Sequence, residues 1–377
     1  MSGIYIHIPF CKQACYYCDF HFSTSLKKKN ELLEALIKEL ELRKEEFKDI
    51  TVETIYFGGG TPSLLSNEEL QLLIDSVNKY YRVSDYPEIT LEANPDDLSE
   101  ERTVELSDSP INRLSIGIQS FYETDLKLMN RAHNAKEART CIEVAKKYFS
   151  NISIDLIYGI PGASNEQWVK NIEIALSFGI SHISSYALTV EPKTALASFI
   201  KKGIIEDVND DQAHEQFHIL KDKLEEEGFI HYELSNFGKE GFFSKNNSAY
   251  WQGKPYIGIG PSAHSFNGNQ RGWNVRNNTK YIKALAKNEL PIEIETLTLT
   301  DRYNEYIMTG LRTIWGVSLV KVENDFGKTF KDYLIEHADV FINQHLLYID
   351  DEHIRVTRKG QFLSDGISSE LFKLNLA

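Results

Sequence analysis

Between the amino terminus and about residue 235, short β-rich runs alternate with longer amphipathic stretches, and few folds are open to a chain patterned this way. The runs predicted as strands are Gly3–Ile8, Glu53–Phe57, Glu88–Glu92, Arg113–Ile118, Ile152–Ile157 and His182–Leu188. Between them lie helical patterns, clearest over Leu26–Phe47. There Leu32, Leu33, Leu36, Ile37 and Leu40 repeat at the three-and-four spacing of one buried stripe. Asn67–Tyr81, Ala135–Phe149, Asn165–Phe178 and Asp210–Glu227 read the same way. Strand–helix alternation on this scale implies βαβ units and a parallel sheet. About six repeats favour a complete or partial barrel over an open dinucleotide-binding sheet, and pattern alone does not settle closure.

Past Gly228 the texture changes. Residues 229–290 are rich in Gly, Asn and aromatic side chains, and from about Thr298 a compact helical unit begins. It holds predicted helices at Tyr303–Ile314 and Lys328–Asn343, a hairpin of Leu346–Ile349 with His353–Val356, and a last helix around Gln361–Phe372. The expected organisation is a barrel over residues 1–235, a connecting region over 236–295 and a small C-terminal unit over 296–377. Helices flanking a hairpin resemble a winged helix, which raises DNA binding. From Ser318 to Ala377, however, 7 basic side chains face 10 acidic ones, a poor phosphate-binding surface. The whole chain, with a formal charge of -14, is also repelled by nucleic acid and by anionic lipid. It opens with no secretory signal and has no apolar run long enough to span a bilayer, so the expected location is the cytoplasm.

Cysteine usage is more specific. Three of the four cysteines, Cys11, Cys15 and Cys18, fall directly after the first predicted strand. Soft thiolates at this spacing suit three corners of an iron–sulfur cluster or three positions around one metal ion. A closed zinc site needs a fourth ligand, for which His7 and His21 are near in sequence. Cys141 lies inside a predicted helix and reads as an inert buried thiol. A second motif, Gly58-Gly59-Gly60-Thr61-Pro62, ends the second predicted strand, and glycine there permits close backbone approach. No Gly-Lys-Ser/Thr follows, which excludes a P-loop. Glu92, Gln119 and Asp155 lie at the ends of later strands, and in a βα barrel those ends share one mouth.

Cys11-x3-Cys15-x2-Cys18 with Tyr17 resembles the cluster motif of radical S-adenosylmethionine proteins. The segments Tyr5-x-His7-Ile8-Pro9-Phe10-Cys11, Gly117-Ile118-Gln119-Ser120-Phe121, Arg131-Ala132-His133 and Asp155-Leu156-Ile157-Tyr158-Gly159 narrow the match. With the glycine motif, they resemble the oxygen-independent coproporphyrinogen III oxidase-like branch. The resemblance implies a partial (β/α) TIM-like barrel with a winged-helix-like C-terminal domain. It also implies a [4Fe-4S] cluster on Cys11, Cys15 and Cys18, with one iron open to S-adenosylmethionine. By the same resemblance Tyr5, Gly59, Gly60, Thr61, Glu92, Gln119, Arg131, Asp155 and Ala187 contact that cofactor. Glu92 suits its ribose hydroxyls and Arg131 its carboxylate.

Two departures separate the chain from true oxidases of this type. They carry a further cysteine two residues beyond the third, where this chain has Phe20, and additional sequence ahead of the cysteine motif, where this chain reaches Cys11 almost at once. Both features, with Cys15-Tyr16-Tyr17-Cys18-Asp19-Phe20, His231-Tyr232-Glu233-Leu234-Ser235-Asn236-Phe237 and Gly258-Ile259-Gly260-Pro261-Ser262-Ala263-His264-Ser265, resemble the haem chaperones of this branch. The implied function is to bind haem as cargo and deliver it to acceptor haemoproteins, with no nucleic-acid partner, no membrane span, and room for peripheral contact with membrane haemoproteins. The alternative is an enzyme that makes a deoxyadenosyl radical to oxidise a porphyrinogen.

In the His-Asn-x-x-Tyr-Trp motif that this group associates with haem, the chain reads Asn246-Asn247-Ser248-Ala249-Tyr250-Trp251. An amide does not replace imidazole as an iron ligand, which leaves His264 and His231 as candidates, each equally readable as structural. Two further patterns carry no chemistry. His214-Glu215-Gln216-Phe217-His218 mimics a zinc-protease motif on an ordinary amphipathic helix, and Gly258-x-Gly260-x-x-Ala263 opens no predicted helix.

Overall fold

The computed structural model describes residues 2–374; residue 1 and residues 375–377, the outer ends of the first and last expected segments, lie outside them. Six parallel strands alternate with helices: β1 (Gly3–Ile8), β2 (Val52–Gly59), β3 (Val83–Ala93), β4 (Arg113–Gln119), β5 (Ile152–Tyr158) and β6 (His182–Ala187). All six fall on the expected runs. β3 begins earlier than expected because Val83 pairs with Val52 ahead of a bulge. The helices start where the sequence supplies caps. Ser66 with Glu69 opens Asn67–Tyr80 and Asn134 with Glu137 opens Ala135–Tyr148, each as a reciprocal capping box. The first helix is shorter than its stripe, ending at Leu42 rather than Phe47. Arg43 there folds inward, and only a 3₁₀ turn at Lys44–Phe47 follows.

The aromatic and glycine-rich stretch, read as a connection, is largely sheet. Ile230–Glu233 (β7), Asn236–Gly238 (β8), Tyr256–Ile259 (β9), His264–Phe266 (β10), Gln270–Asn274 (β11) and Ile292–Thr296 (β12) extend the same sheet at both edges. The order is β12-β11-β10-β9-β1-β2-β3-β4-β5-β6-β8-β7, with β9 parallel to β1 and antiparallel strands outside. Among the described residues the two edge strands do not pair, so the barrel is partial.

The parallel strands alternate in chemistry over most of their length, with Ile157 and Ser185 among the exceptions. Ile4, Ile6 and Ile8 of β1, Ile55 and Phe57 of β2, Ile89 and Leu91 of β3, and Leu114, Ile116 and Ile118 of β4 are buried in one apolar cluster with the covering helices. The intervening positions are polar: Thr54 and Tyr56, Glu88, Thr90 and Glu92, Arg113, Ser115 and Gln119, Ser153 and Asp155, Ser184 and Tyr186. With a side-chain period of two, all of these project from the opposite face, into the barrel lumen. The lumen is therefore polar rather than packed with branched side chains.

The C-terminal unit has its own core around Tyr303, Ile307, Leu334, Leu347 and Ile354. Helices Leu299–Leu311, Leu319–Phe326 and Lys328–Asn343 pack with a three-stranded antiparallel sheet of Val317–Ser318 (β13), Leu347–Asp350 (β14) and His353–Val356 (β15), a winged-helix-like arrangement. It meets the barrel on the helix Asp210–Glu226, through Phe362 against Phe217, Gln361 on Lys221 and Arg358 on Asp222. No helix among the described residues is long and apolar enough to cross a membrane.

A buried carboxylate joins the first helix to the far edge of the sheet. Glu39 accepts from Arg43 (3.1 Å), the Gly260 backbone (2.9 Å), the Asn274 amide (2.8 Å) and the Tyr281 hydroxyl (2.5 Å). Arg43 in turn donates to Gly258 O (2.8 Å) and Ser265 Oγ (3.0 Å). Removing a fully desolvated acceptor strands several donors at once, so Glu39→Ala is expected to cost about 3–5 kcal/mol in urea unfolding. A loss below about 1 kcal/mol would show that the network is not what holds β9–β11 against the barrel.

Candidate functional site

The loop carrying the three cysteines leaves β1 and is pinned at its base. Ser23 N donates to Pro9 O (2.8 Å) and Cys11 N to Ser23 O (3.1 Å), closing the loop. Gly60 N and Thr61 N donate to Ile8 O (2.9 Å) and Phe10 O (2.6 Å), locking it to the end of β2. A Cβ on Gly60 would lie 2.6 Å from Phe10 O and 2.8 Å from Ile8 O, so glycine here serves the strand contact itself. The loop's outer part is tied to the rest of the barrel by Tyr16 N on Met129 O (3.1 Å) and Leu196 N on Tyr16 O (2.8 Å).

Cys11, Cys15 and Cys18 form no disulfide and all line one cavity of about 480 Å³. Burial raises the Cys11 thiol and pushes Cys18 up to about 11, so loading a metal centre must displace protons. The zinc alternative finds no fourth ligand in the two histidines. His7 is buried between the Tyr5 hydroxyl (3.2 Å) and His21 O (3.0 Å), and His21 bonds Asn278 (2.6 Å); neither imidazole lines the cavity. Among the described residues no three His, Cys, Asp or Glu side chains converge as a single-ion site requires.

Eight of the nine expected cofactor contacts line this same cavity: Gly59, Gly60, Thr61, Glu92, Gln119, Arg131, Asp155 and Ala187. Tyr5 stands behind them, stacked on Tyr56 with ring centroids 5.9 Å apart. Glu92 is held by the Tyr56 hydroxyl (2.9 Å) and Gly59 N (3.1 Å), and burial raises its pKa. Arg131 donates to Asn94 Oδ1 (2.6 Å) and Gly117 O (2.9 Å) and approaches Cys15 Sγ at 3.4 Å, linking the lumen to the cysteine loop. Gln119 sits at a left-handed φ of 65°, at the end of β4. Burial, then the charge of Glu92, pushes Asp155 up to about 7.

The lumen-facing residues Tyr56, Arg113, Ser115, Ser153, Ser184 and Tyr186 complete the wall. Arg113, Ser115, Ser153 and Ser184 belong to no motif, although the polar alternation within each strand is visible in the sequence. Four buried polar atoms of lining residues, Arg113 Nε, Gln119 Oε1, Arg131 Nε and Asn236 Oδ1, have no protein partner. Such atoms are costly unless a ligand or water meets them. Three thiols, a phenol-braced carboxylate, a guanidinium and unsatisfied polar atoms around one cavity fit a cluster with an amino-acid-bearing nucleoside.

The haem candidates lie elsewhere. His264 is exposed on β10, with its ring 6.4 Å from Trp273. His231 is buried, stacked at 4.3 Å on Phe237 and bonded to Leu234 O (3.2 Å). Neither lines the cavity. Asn246 is 3% exposed and accepts from Thr54 Oγ1 (3.0 Å) in the lower part of β2, while its backbone N–H donates to Glu88 (3.1 Å). Position 246 thus fastens the helix Lys245–Trp251 to the lower part of β2 and does not itself line the cavity, although the next residue, Asn247, does. Cys141 is buried in its helix, as expected. His214 and His218 face each other across 3.1 Å on an exposed helix face without a third ligand, and Gly258 lies within β9, so neither decoy forms a site.

This fold and site define a radical S-adenosylmethionine protein: residues 5–185 match the model of the Radical SAM superfamily, and 297–363 match that of the HemN C-terminal domain. Superfamily membership implies a [4Fe-4S] cluster and S-adenosylmethionine. The chain is 36% identical to the haem chaperone HemW of Lactococcus lactis, over 97% of this chain and 96% of that protein. It is 34% identical to the HemW of Bacillus subtilis, over 97% and 98%. The chain belongs to the HemW family. Its fold also matches coproporphyrinogen III oxidase, HemN, from Escherichia coli, with a TM-score of 0.86 and 22% identity over 99% of this chain and 90% of that one.

Asp155 allows a test of the lumen's electrostatics. Its folded pKa, about 7, lies above the ordinary 3.8, so the native state binds the extra proton between those values. Its contribution to stability is full below about pH 4 and is lost as pH rises through 7. In the ligand-free protein, Asp155→Asn is expected to match wild type near pH 4.5 and exceed it by more than about 1 kcal/mol at pH 8. An offset independent of pH, read by thermal unfolding, would contradict this.

Proposed function

We propose that this chain is a haem chaperone that binds haem and hands it to acceptor haemoproteins, working in the cytoplasm on soluble or membrane-bound acceptors. The observation that carries this reading is its near end-to-end identity to proteins named as haem chaperones. In this reading residues 1–235 form the barrel, 236–295 extend it, and 296–377 form the C-terminal unit. Cys11, Cys15 and Cys18 hold three irons of a [4Fe-4S] cluster. When bound and reduced, that cluster with S-adenosylmethionine supplies a deoxyadenosyl radical.

The chain's own residues do the positioning. Glu92, braced by Tyr56 and Gly59, keeps free lone pairs for hydroxyl donors, and Tyr5 supports that brace from behind. Arg131 and Gln119 offer their unpartnered atoms to the cofactor's amino-acid end, and Gly59, Gly60, Thr61 and Ala187 line the cavity beside them. Asp155, pushed up to about 7, titrates near neutral pH in the ligand-free protein, and a cationic ligand beside it would favour the carboxylate.

The test is an anaerobic haem titration of cluster-reconstituted protein. A saturable Soret band at one haem per chain is expected, and the absence of saturable binding would refute the carrier. Cys11→Ser, Cys15→Ser and Cys18→Ser should each lose the broad cluster band near about 400 nm, while Cys141→Ser retains it. Because position 246 faces Thr54, Asn246→His should leave haem affinity unchanged within about twofold. A gain of tenfold or more would place the iron ligand there after all.

A further inference from the structure

A second cleft, of about 570 Å³, opens beside the first and shares Cys18, Asp19, Phe20 and Glu191 with it. Its remaining wall is Pro192, Lys193, Thr194 and Arg276. The size is within the range of small-molecule sites. Three observations single it out. Phe20 is 67% exposed, an aromatic ring left in water at the mouth of the cysteine loop. Lys193 and Arg276 have no carboxylate partner among the described residues, in a chain whose acidic groups outnumber its basic ones. The carboxylates of the cleft, Asp19 and Glu191, lie on the part shared with the inner cavity, whereas both cations line only the outer part.

The cleft is also built rather than incidental. Arg276 donates to the backbone carbonyl of Asp19, fixing its guanidinium against the cysteine loop. Lys193 sits at a left-handed φ of 72°, which costs a non-glycine residue free energy. The turn holding it there is fastened by Thr194 Oγ1 on Glu191 O (2.7 Å), and Thr194 then caps the helix Ala195–Lys201. That helix is bonded to the loop through Leu196 N and Tyr16 O. Both walls are thus anchored to the segment that bears the thiols.

An apolar ring face beside two outward cations suits a flat, amphiphilic dianion. Resting on the haem-carrier reading above, we infer that this outer cleft seats the haem, with one macrocycle face on Phe20 and the propionates on Lys193 and Arg276. Phe20 occupies the position where the related oxidases carry a cysteine. The same position therefore supplies a thiol in the enzymes and a ring platform here. No histidine lines either cavity, so the haem is held by its face and its carboxylates rather than by imidazole. Holding by propionate and face alone suits a carrier, because an acceptor that offers a strong iron ligand then draws the haem away.

The experiment compares haem with its dimethyl ester, in which both propionates are capped, on cluster-reconstituted wild type, Lys193→Gln/Arg276→Gln and Phe20→Ala. Wild type should bind haem roughly tenfold or more tightly than the ester, since each propionate makes a charge-assisted bond. The double variant should lose that preference, with ester affinity, cluster absorbance and S-adenosylmethionine binding unchanged. Phe20→Ala should weaken haem and ester alike. Saturable haem binding by wild type with equal affinity in the double variant would overturn this placement and leave the carrier reading standing. An absence of haem binding by wild type would overturn both. A histidine-ligated, low-spin spectrum abolished by His264→Ala or His231→Ala would also overturn the placement.

Discussion

Along the parallel strands apolar and polar side chains alternate, and the two faces make opposite demands. The outer face, with Ile4, Ile6, Phe57, Leu91, Leu114 and Ile116, gains about 1.5–3 kcal/mol per large side chain by burial under helices. The inner face, with Glu92, Arg113, Ser115 and Asp155, cannot be packed dry without heavy desolvation cost. A slip of one residue in any strand would turn its polar set into the helix layer, so the pattern fixes register as firmly as it opens the lumen. Cavity and fold are thus two results of one constraint. The glycine contact between β1 and β2 then sets the cysteine loop over that cavity, because Gly60 alone admits the backbone of Ile8 and Phe10 so closely.

Strand and helix positions up to residue 235 were legible because period-two and three-and-four patterns there are dense and caps such as Ser66 and Asn134 mark the starts. The sheet extensions β7–β12 were not. They are three to five residues long, and their pairings are set by partners far along the chain, such as β9 beside β1. The residues expected to contact the cofactor came from motif resemblance, and the structure places eight of the nine around one cavity. Arg113, Ser153 and Ser184 escaped because each belongs to no motif and becomes informative only when the strands stand side by side. The outer cleft was invisible for a related reason: Phe20, Lys193 and Arg276 come from three distant segments.

Asn246 shows how a motif position separates from a role. Read as a sequence, the missing histidine threatens haem ligation. In the structure the side chain at 246 ties a short helix to Thr54 beneath the barrel, a hydrogen-bonding task that an amide performs as well as an imidazole. The likeness to HemN at a TM-score of 0.86 shows a shared fold, and folds of this type host different chemistries through their sites. In this chain an exposed Phe20 and two cations without a carboxylate partner among the described residues stand at the cavity mouth beside the thiols.

A haem carrier and an enzyme that transforms a porphyrinogen separate in a single comparison. Haem-loaded, cluster-reconstituted protein should be mixed anaerobically with an apo-haemoprotein in one vessel and, with reductant and S-adenosylmethionine, with coproporphyrinogen III in another. For a carrier, the Soret signal transfers to the acceptor and no decarboxylated porphyrinogen forms. Turnover of coproporphyrinogen with consumption of S-adenosylmethionine, and no transfer, would contradict it.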